Sequence, residues 1–162
     1  MKVAIGSDRR GFIAKEKLIK HMQDLGISFL DVGPYNDDLP VDYPIYGEKV
    51  GRSVSENQAD FGVVICATGN GILIAANKVK GIRCGMAYSD DVARLMREHN
   101  DANVICFGQD FMDYSDIERR FDIFINSGFI GDYHCDRIRQ LKCIEDGLPL
   151  QESVIRNKNF NK

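Results

Sequence analysis

Cys66 ends an apolar run, FGVVICA (61–67), and is followed at once by TGNG (68–71) and then ILIAANK. A strand that gives way to a helix through a glycine turn presents the helix's first backbone N–H groups, which no carbonyl within the helix can take. Those groups and the helix dipole make an anion site. The same field favours thiolate over thiol at Cys66. A thiolate beside an anion hole suits two chemistries, nucleophilic attack or proton abstraction next to a carbonyl. A buried cysteine at a strand end, with a tight turn after it, has the same local pattern. Three phosphate-handling motifs are excluded. A dinucleotide fingerprint needs glycine where Ile74 stands, a P-loop needs Gly-Lys-Ser/Thr, and a cysteine phosphatase needs the fork of an arginine where Ile72 stands.

The histidines are His21, His99 and His134. None is spaced with a cysteine as zinc ligands are. His99 ends a helical stretch, where it can pair with the dipole or, since imidazole titrates near neutrality, move protons. His21 lies on a lysine-rich amphipathic stretch and reads as solvated. Asp101 reads as a turn residue. The five cysteines, 66, 84, 106, 135 and 143, are odd in number and show no C-x-x-C spacing. With no export signal in MKVAIGSDRRGF, they are expected to be reduced thiols in the cytoplasm.

The elements that must position these residues alternate. Five short apolar runs, 2–6, 27–33, 61–67, 81–87 and 103–108, are rich in β-branched or aromatic residues and bounded by Gly, Asp or Asn. Helical patterns over 12–25, 44–57, 71–79, 89–99 and 115–127 follow them, and a further basic helix covers 133–146. Such alternation predicts an α/β fold, a parallel sheet covered by helices on both faces. The 162 residues fit one domain over 1–146; from 147 to 162 the periodicity is lost, as in a disordered tail or an arm on a neighbour. A net charge of −3 gives no sign of nucleic-acid or membrane binding. No apolar run approaches the roughly 20 residues a bilayer span requires. Ligands of such folds sit beyond the carboxyl ends of the strands, which marks the loops at 7–11, 33–43, 66–71, 88–90 and 108–110.

Several stretches together resemble one family, the type B ribose-5-phosphate isomerases and the related galactose-6-phosphate isomerases. They are AIGSD (4–8), GF and the lysine-rich helix after it (11–20), VDYP (41–44), ADFGVVICATGNGILIAANKVKGIR (59–83), REHNDANV (97–104) and H-x-x-R (134–137). The resemblance implies a five-stranded doubly wound, Rossmann-like sheet and an aldose–ketose isomerase of sugar phosphates that uses no metal and no nicotinamide. It also implies a homo-oligomer, dimer or tetramer, whose active sites are shared between subunits. By position, Cys66 resembles the base that moves a proton between C1 and C2, and Thr68 its partner at the sugar oxygens. The amides of Gly69, Asn70 and Gly71 resemble the enediolate cradle. His99, from the neighbouring chain, resembles the residue that opens the ring, with Asn100 a substrate ligand beside it. Asp8 and Tyr43 resemble residues lining the sugar.

Three positions depart from the family's phosphate pocket. Arg9 replaces a histidine, Asp110 an arginine and Tyr133 an arginine, while His134 and Arg137 match. A like charge about 4 Å from a phosphate costs on the order of 4 kcal/mol at an effective dielectric near 20. Three outcomes are open: Arg9, Arg10, Arg137 or Arg139 compensates; Asp110 pairs with Arg9 or Arg137; or the substrate's far end carries hydroxyls, which a carboxylate accepts well.

Overall fold

The structure is a computed structural model that describes residues 1–38 and 41–151. The expectation for the tail therefore falls, from residue 152 onward, outside the described residues. The strands are β1 (Lys2–Ser7), β2 (Ser28–Asp31), β3 (Phe61–Cys66), β4 (Cys84–Met86) and β5 (Val104–Gly108), and the helices are α1 (Phe12–Asp24), α2 (Tyr43–Ser55), α3 (Asn70–Asn77), α4 (Asp90–Glu98), α5 (Tyr114–Asn126) and α6 (His134–Glu145). All strands are parallel, in the order β2-β1-β3-β5-β4. The α/β expectation holds, with two strands shorter than their apolar runs by three residues or more: β4 keeps three residues of 81–87 and β2 four of 27–33.

Alternation of side chains sorts the core into two layers. Val3, Ile5, Val63, Ile65, Ile105 and Phe107 face α1, α4 and α5, where Leu18, Met22, Phe121 and Phe124 meet them. Ala4, Val64, Cys66, Val104 and Cys106 face α2 and α3. Each large side chain fully buried this way contributes roughly 1.5–3 kcal/mol. The second layer is thin because the sequence places small residues where the helices cross. A Cβ at Gly47 would lie 2.8 Å from the Ile72 carbonyl oxygen, and one at Gly51 2.9 Å from Val79. These two glycines, one turn apart on α2, let it lie close on α3 and bring the Tyr43 ring over Gly71. On the opposite face Lys15 of α1 is fully buried, its Nζ donating to Asp31 Oδ2 at 2.7 Å and lying 2.8 Å from Glu16 Oε1. Among the described residues, no helix is long and apolar enough to cross a membrane.

Candidate functional site

Cys66 is the last residue of β3, opposite Gly108 of β5, and only 4% exposed. The chain then turns at Gly69, whose φ of +81° lies in the left-handed region open to glycine; a Cβ there would also strike Met86 Cε at 2.2 Å. This turn brings the Gly69 amide back to donate to Cys66 Sγ at 3.1 Å. The Asn70 amide donates to Thr68 Oγ1 at 3.3 Å, and the first helical bond of α3 runs from the Leu73 amide to the Gly69 carbonyl at 3.1 Å. Asn70, Gly71 and Ile72 thus open the helix with no intrahelical acceptor for their amides. Thr68 and Asn70 are exposed, and the Tyr43 ring covers Gly71. The strand-to-turn-to-helix reading of 61–71 holds.

Two neighbouring loops close on this turn. The Asp8 amide, just after β1, donates to the Ile65 carbonyl at 3.1 Å, and the Asp110 amide, just after β5, donates to the Ala67 carbonyl at 3.0 Å. Gln109 Oε1 accepts the Ala14 amide of α1 at 2.9 Å. Asp8 Oδ1 accepts the Gly11 amide at 2.8 Å. Burial pushes the Asp8 carboxyl above its ordinary range; the backbone bonds and Arg10 oppose this, while the charge of Asp110 adds to it. Asp110 pairs with Arg10, whose Nη2 lies 2.7 Å from Oδ2. The expected partners for Asp110, Arg9 or Arg137, are therefore corrected: Arg9 turns away and its Nε donates to the Asp37 carbonyl at 3.0 Å.

The remaining candidates gather elsewhere. α4 runs back from the carboxyl end of β4, and His99 follows it on the way into β5. The His99 ring stacks on His134 at 4.4 Å between centroids and 13° between planes. Tyr133 tilts against His134 at 4.1 Å, and Arg137 lies over the Tyr133 ring with Nη1 3.5 Å from His134 Nδ1. His134 is buried, and its imidazole titrates below the ordinary value, first because of that burial and then because of His99 and Arg137; Asp132 acts the other way. Asn100 is exposed, its carbonyl accepting Arg83 Nε at 3.1 Å. Register separates the two groups. Val104 opens β5 opposite Gly62, and Cys66 lies four residues further along, or about 13 Å. His99 precedes even Val104. Cys66, Thr68 and Asp8 thus stand at one end of the parallel sheet, and His99, Asn100, Tyr133, His134 and Arg137 at the other.

Other expectations change in detail. His21 is half-buried rather than simply solvated, with Nε2 2.8 Å from Asp122 Oδ1 and its ring edge-on to Phe121. Asp101 has the turn conformation expected, φ +45°, and in addition binds Arg83 and Arg97. Arg139 pairs with Asp136. Cys106 sits behind the Gly69 turn, a place no sequence signal marks, since only the strand order brings β5 beside β3. Among the described residues, no set of three or more His, Cys, Asp or Glu side chains is placed to hold a metal ion.

Residues 3–141 match the family model described as Ribose/Galactose Isomerase. The ribose-5-phosphate isomerase B of Escherichia coli K12 is 35% identical over 144 residues, which cover 89% of this chain and 96% of that protein. The solved ribose-5-phosphate isomerase B of Clostridium thermocellum superposes with a TM-score of 0.89 at 37% identity, covering 91% of this chain and 99% of the other. That of Mycoplasma genitalium, with bound ribulose-5-phosphate, gives 0.86 at 34% identity and covers 90% and 96%.

Proposed function

The chain belongs to the ribose/galactose isomerase family, and on that premise we propose that it interconverts an aldose phosphate and the matching ketose phosphate, with ribose 5-phosphate as the first substrate to try. The observation that carries this reading is the Gly69 amide on Cys66 Sγ, beside the amides that open α3 without an acceptor inside the helix. With Sγ accepting that amide, Cys66 acts as the base and takes the proton from C2 of the open-chain aldose. Charge passes to the carbonyl oxygen, making an enediolate. The amides of Gly69, Asn70 and Gly71 stabilise that oxygen, and one such donor is worth about 10²–10³ in rate. The hydroxyl proton on O2 passes to O1, leaving C2 as the carbonyl, and the Cys66 thiol returns its proton to C1, giving the ketose. Thr68 and Asp8 hold the sugar hydroxyls, and Tyr43 lines the site beside Gly71.

Ring opening needs a group that gives and takes protons near neutrality, the role proposed for His99. About 13 Å or more of sheet separates it from Cys66 in one chain, so His99 must come from a second copy, with Asn100, His134 and Arg137 beside it. The apolar residues Leu141, Ile144, Leu148 and Leu150, left exposed on and after α6, support association. The test mixes two inactive variants. Cys66→Ala and His99→Ala are each expected to lose turnover of ribose 5-phosphate. Refolded together, they should regain about one quarter of native activity, because half of the symmetric pairs then carry one intact site. No recovery on mixing, with each variant folded, overturns the shared site.

The Arg10–Asp110 pair favours a second reading, in which the far end of the substrate carries hydroxyls rather than phosphate. A panel of free sugars and sugar phosphates, scored by ketose formation, separates the two.

A further inference from the structure

Cys106 lies on β5, fully buried, with Sγ 3.1 Å from the Gly69 carbonyl oxygen. Gly69 is thus held from both sides by sulfur: its amide donates to Cys66, and its carbonyl accepts from Cys106. Glycine has no Cβ to restrict rotation of the peptides on either side of it, so the direction of these groups depends on such contacts. Across a trans peptide the Asn70 N–H points opposite to the Gly69 carbonyl. Fixing that carbonyl against Cys106 therefore aims the Asn70 amide away from the sheet, toward Thr68 Oγ1 and the open mouth of the site. The Leu73 amide shares the same carbonyl, but it belongs to α3 and moves with it. Among the described residues, only Cys106 ties the carbonyl to the sheet.

We propose that Cys106 is a positioning residue: its thiol, donating to the Gly69 carbonyl, holds the turn so that the Gly69 and Asn70 amides face Cys66 and the developing enediolate. Burial, with Cys84 and Cys66 nearby, pushes the Cys106 thiol well up, so it keeps the proton it must donate. The inference rests on the isomerase reading for its effect on turnover, but not for its effect on Cys66 itself.

Three variants test it. Cys106→Ala and Cys106→Val remove the donor, one leaving space and the other filling it; Cys106→Ser restores a donor. Two quantities are measured in each: kcat and KM on the sugar phosphate, and the rate at which iodoacetamide modifies Cys66 at neutral pH, located by peptide mass spectrometry. Loss of one neutral hydrogen bond predicts a fall of about three- to tenfold in kcat for Ala and Val with KM little changed. Alkylation of Cys66 slows alongside, and Ser recovers most of both losses. Native kcat and native alkylation in Ala or Val overturn the proposal, as does Ser behaving like Ala, which is what packing alone would give. If the native chain turns over no sugar phosphate, the isomerase reading fails, and the order of alkylation rates still decides whether Cys106 holds the turn.

Discussion

Replacing Asp110 by Asn asks whether the mouth of the Cys66 site receives a phosphate. Asp110 lies 2.7 Å from Arg10, and its charge reaches Asp8 as well. An anion bound on the far side of the Arg10 guanidinium would sit about 6 Å from the Asp110 carboxylate, and a phosphate dianion at that distance is repelled by about 1.4 kcal/mol in bulk water and by about four times as much at an effective dielectric of 20. Arg10 is 66% exposed and Asp110 30%, so solvent screening places the effect near the lower figure, about 1.5 kcal/mol or tenfold. Asp110→Asn should therefore lower KM for ribose 5-phosphate, and the inhibition constant of inorganic phosphate, by about tenfold at low salt, with the gain shrinking as salt rises. Arg10→Ala should move both the opposite way. The exposed pair adds little to stability, so both variants should keep the native melting temperature. If Asp110→Asn leaves KM and phosphate inhibition unchanged, no phosphate lies over Arg10, and placing the far end of the substrate there is wrong.

Two further tests address the scaffold. Lys15→Met leaves the Asp31 carboxylate with the Gly33 amide but without its ammonium partner, and should cost about 3 kcal/mol in urea unfolding; a loss below about 1 kcal/mol would mean that water replaces the pair. His134 should titrate below 6.5, measured by its ring proton shifts. A depressed histidine stays neutral in the folded chain, so the unfolded chain binds the proton first. Its contribution to stability is present above about 6.5 and is lost as the pH falls through the lower folded value. Arg137→Gln should raise that value, and titration of the native His134 at or above 6.5 would refute the assignment of causes.

What was legible in the sequence was local. The apolar run to Cys66, the glycine turn and the amphipathic stretch after it describe one strand, turn and helix, and neighbouring residues decide all three. Positions 8 and 110 were legible as loop residues for the same reason. Their partners were not, because those depend on strand order. β5 enters the sheet between β3 and β4, which brings Asp110 beside the loop after β3 and within reach of Arg10. Periodicity carries no term for that choice, so Arg9 and Arg10, adjacent in the chain, could not be told apart. Cys106 was hidden similarly: in NVICFG it reads as one more strand residue, and its thiol matters only because β5 lies beside the Gly69 turn. His21 reads as solvated in the sequence because the residues that half-bury it, Phe121 and Asp122, come from α5 about 100 positions later.

Strand order also separates two tasks. β3 lies between β1 and β5, so the loop that holds the thiol is flanked by the two loops that carry Asp8, Arg10 and Asp110. Those loops are tied to it through backbone groups, the Asp8 amide on Ile65 and the Asp110 amide on Ala67. Any side chain except proline's keeps such a bond, since it uses only the main-chain N–H. The contacts that hold Cys66 in place, by contrast, run from Gly69 and Cys106. On the proposed reading, a change of charge at 10 or 110 alters how the far end of a sugar is held without disturbing the amide on the thiol. On the same reading, the departures at 9, 110 and 133 require no compensating change within 66–71, so that segment keeps its reaction while the surrounding positions set the substrate.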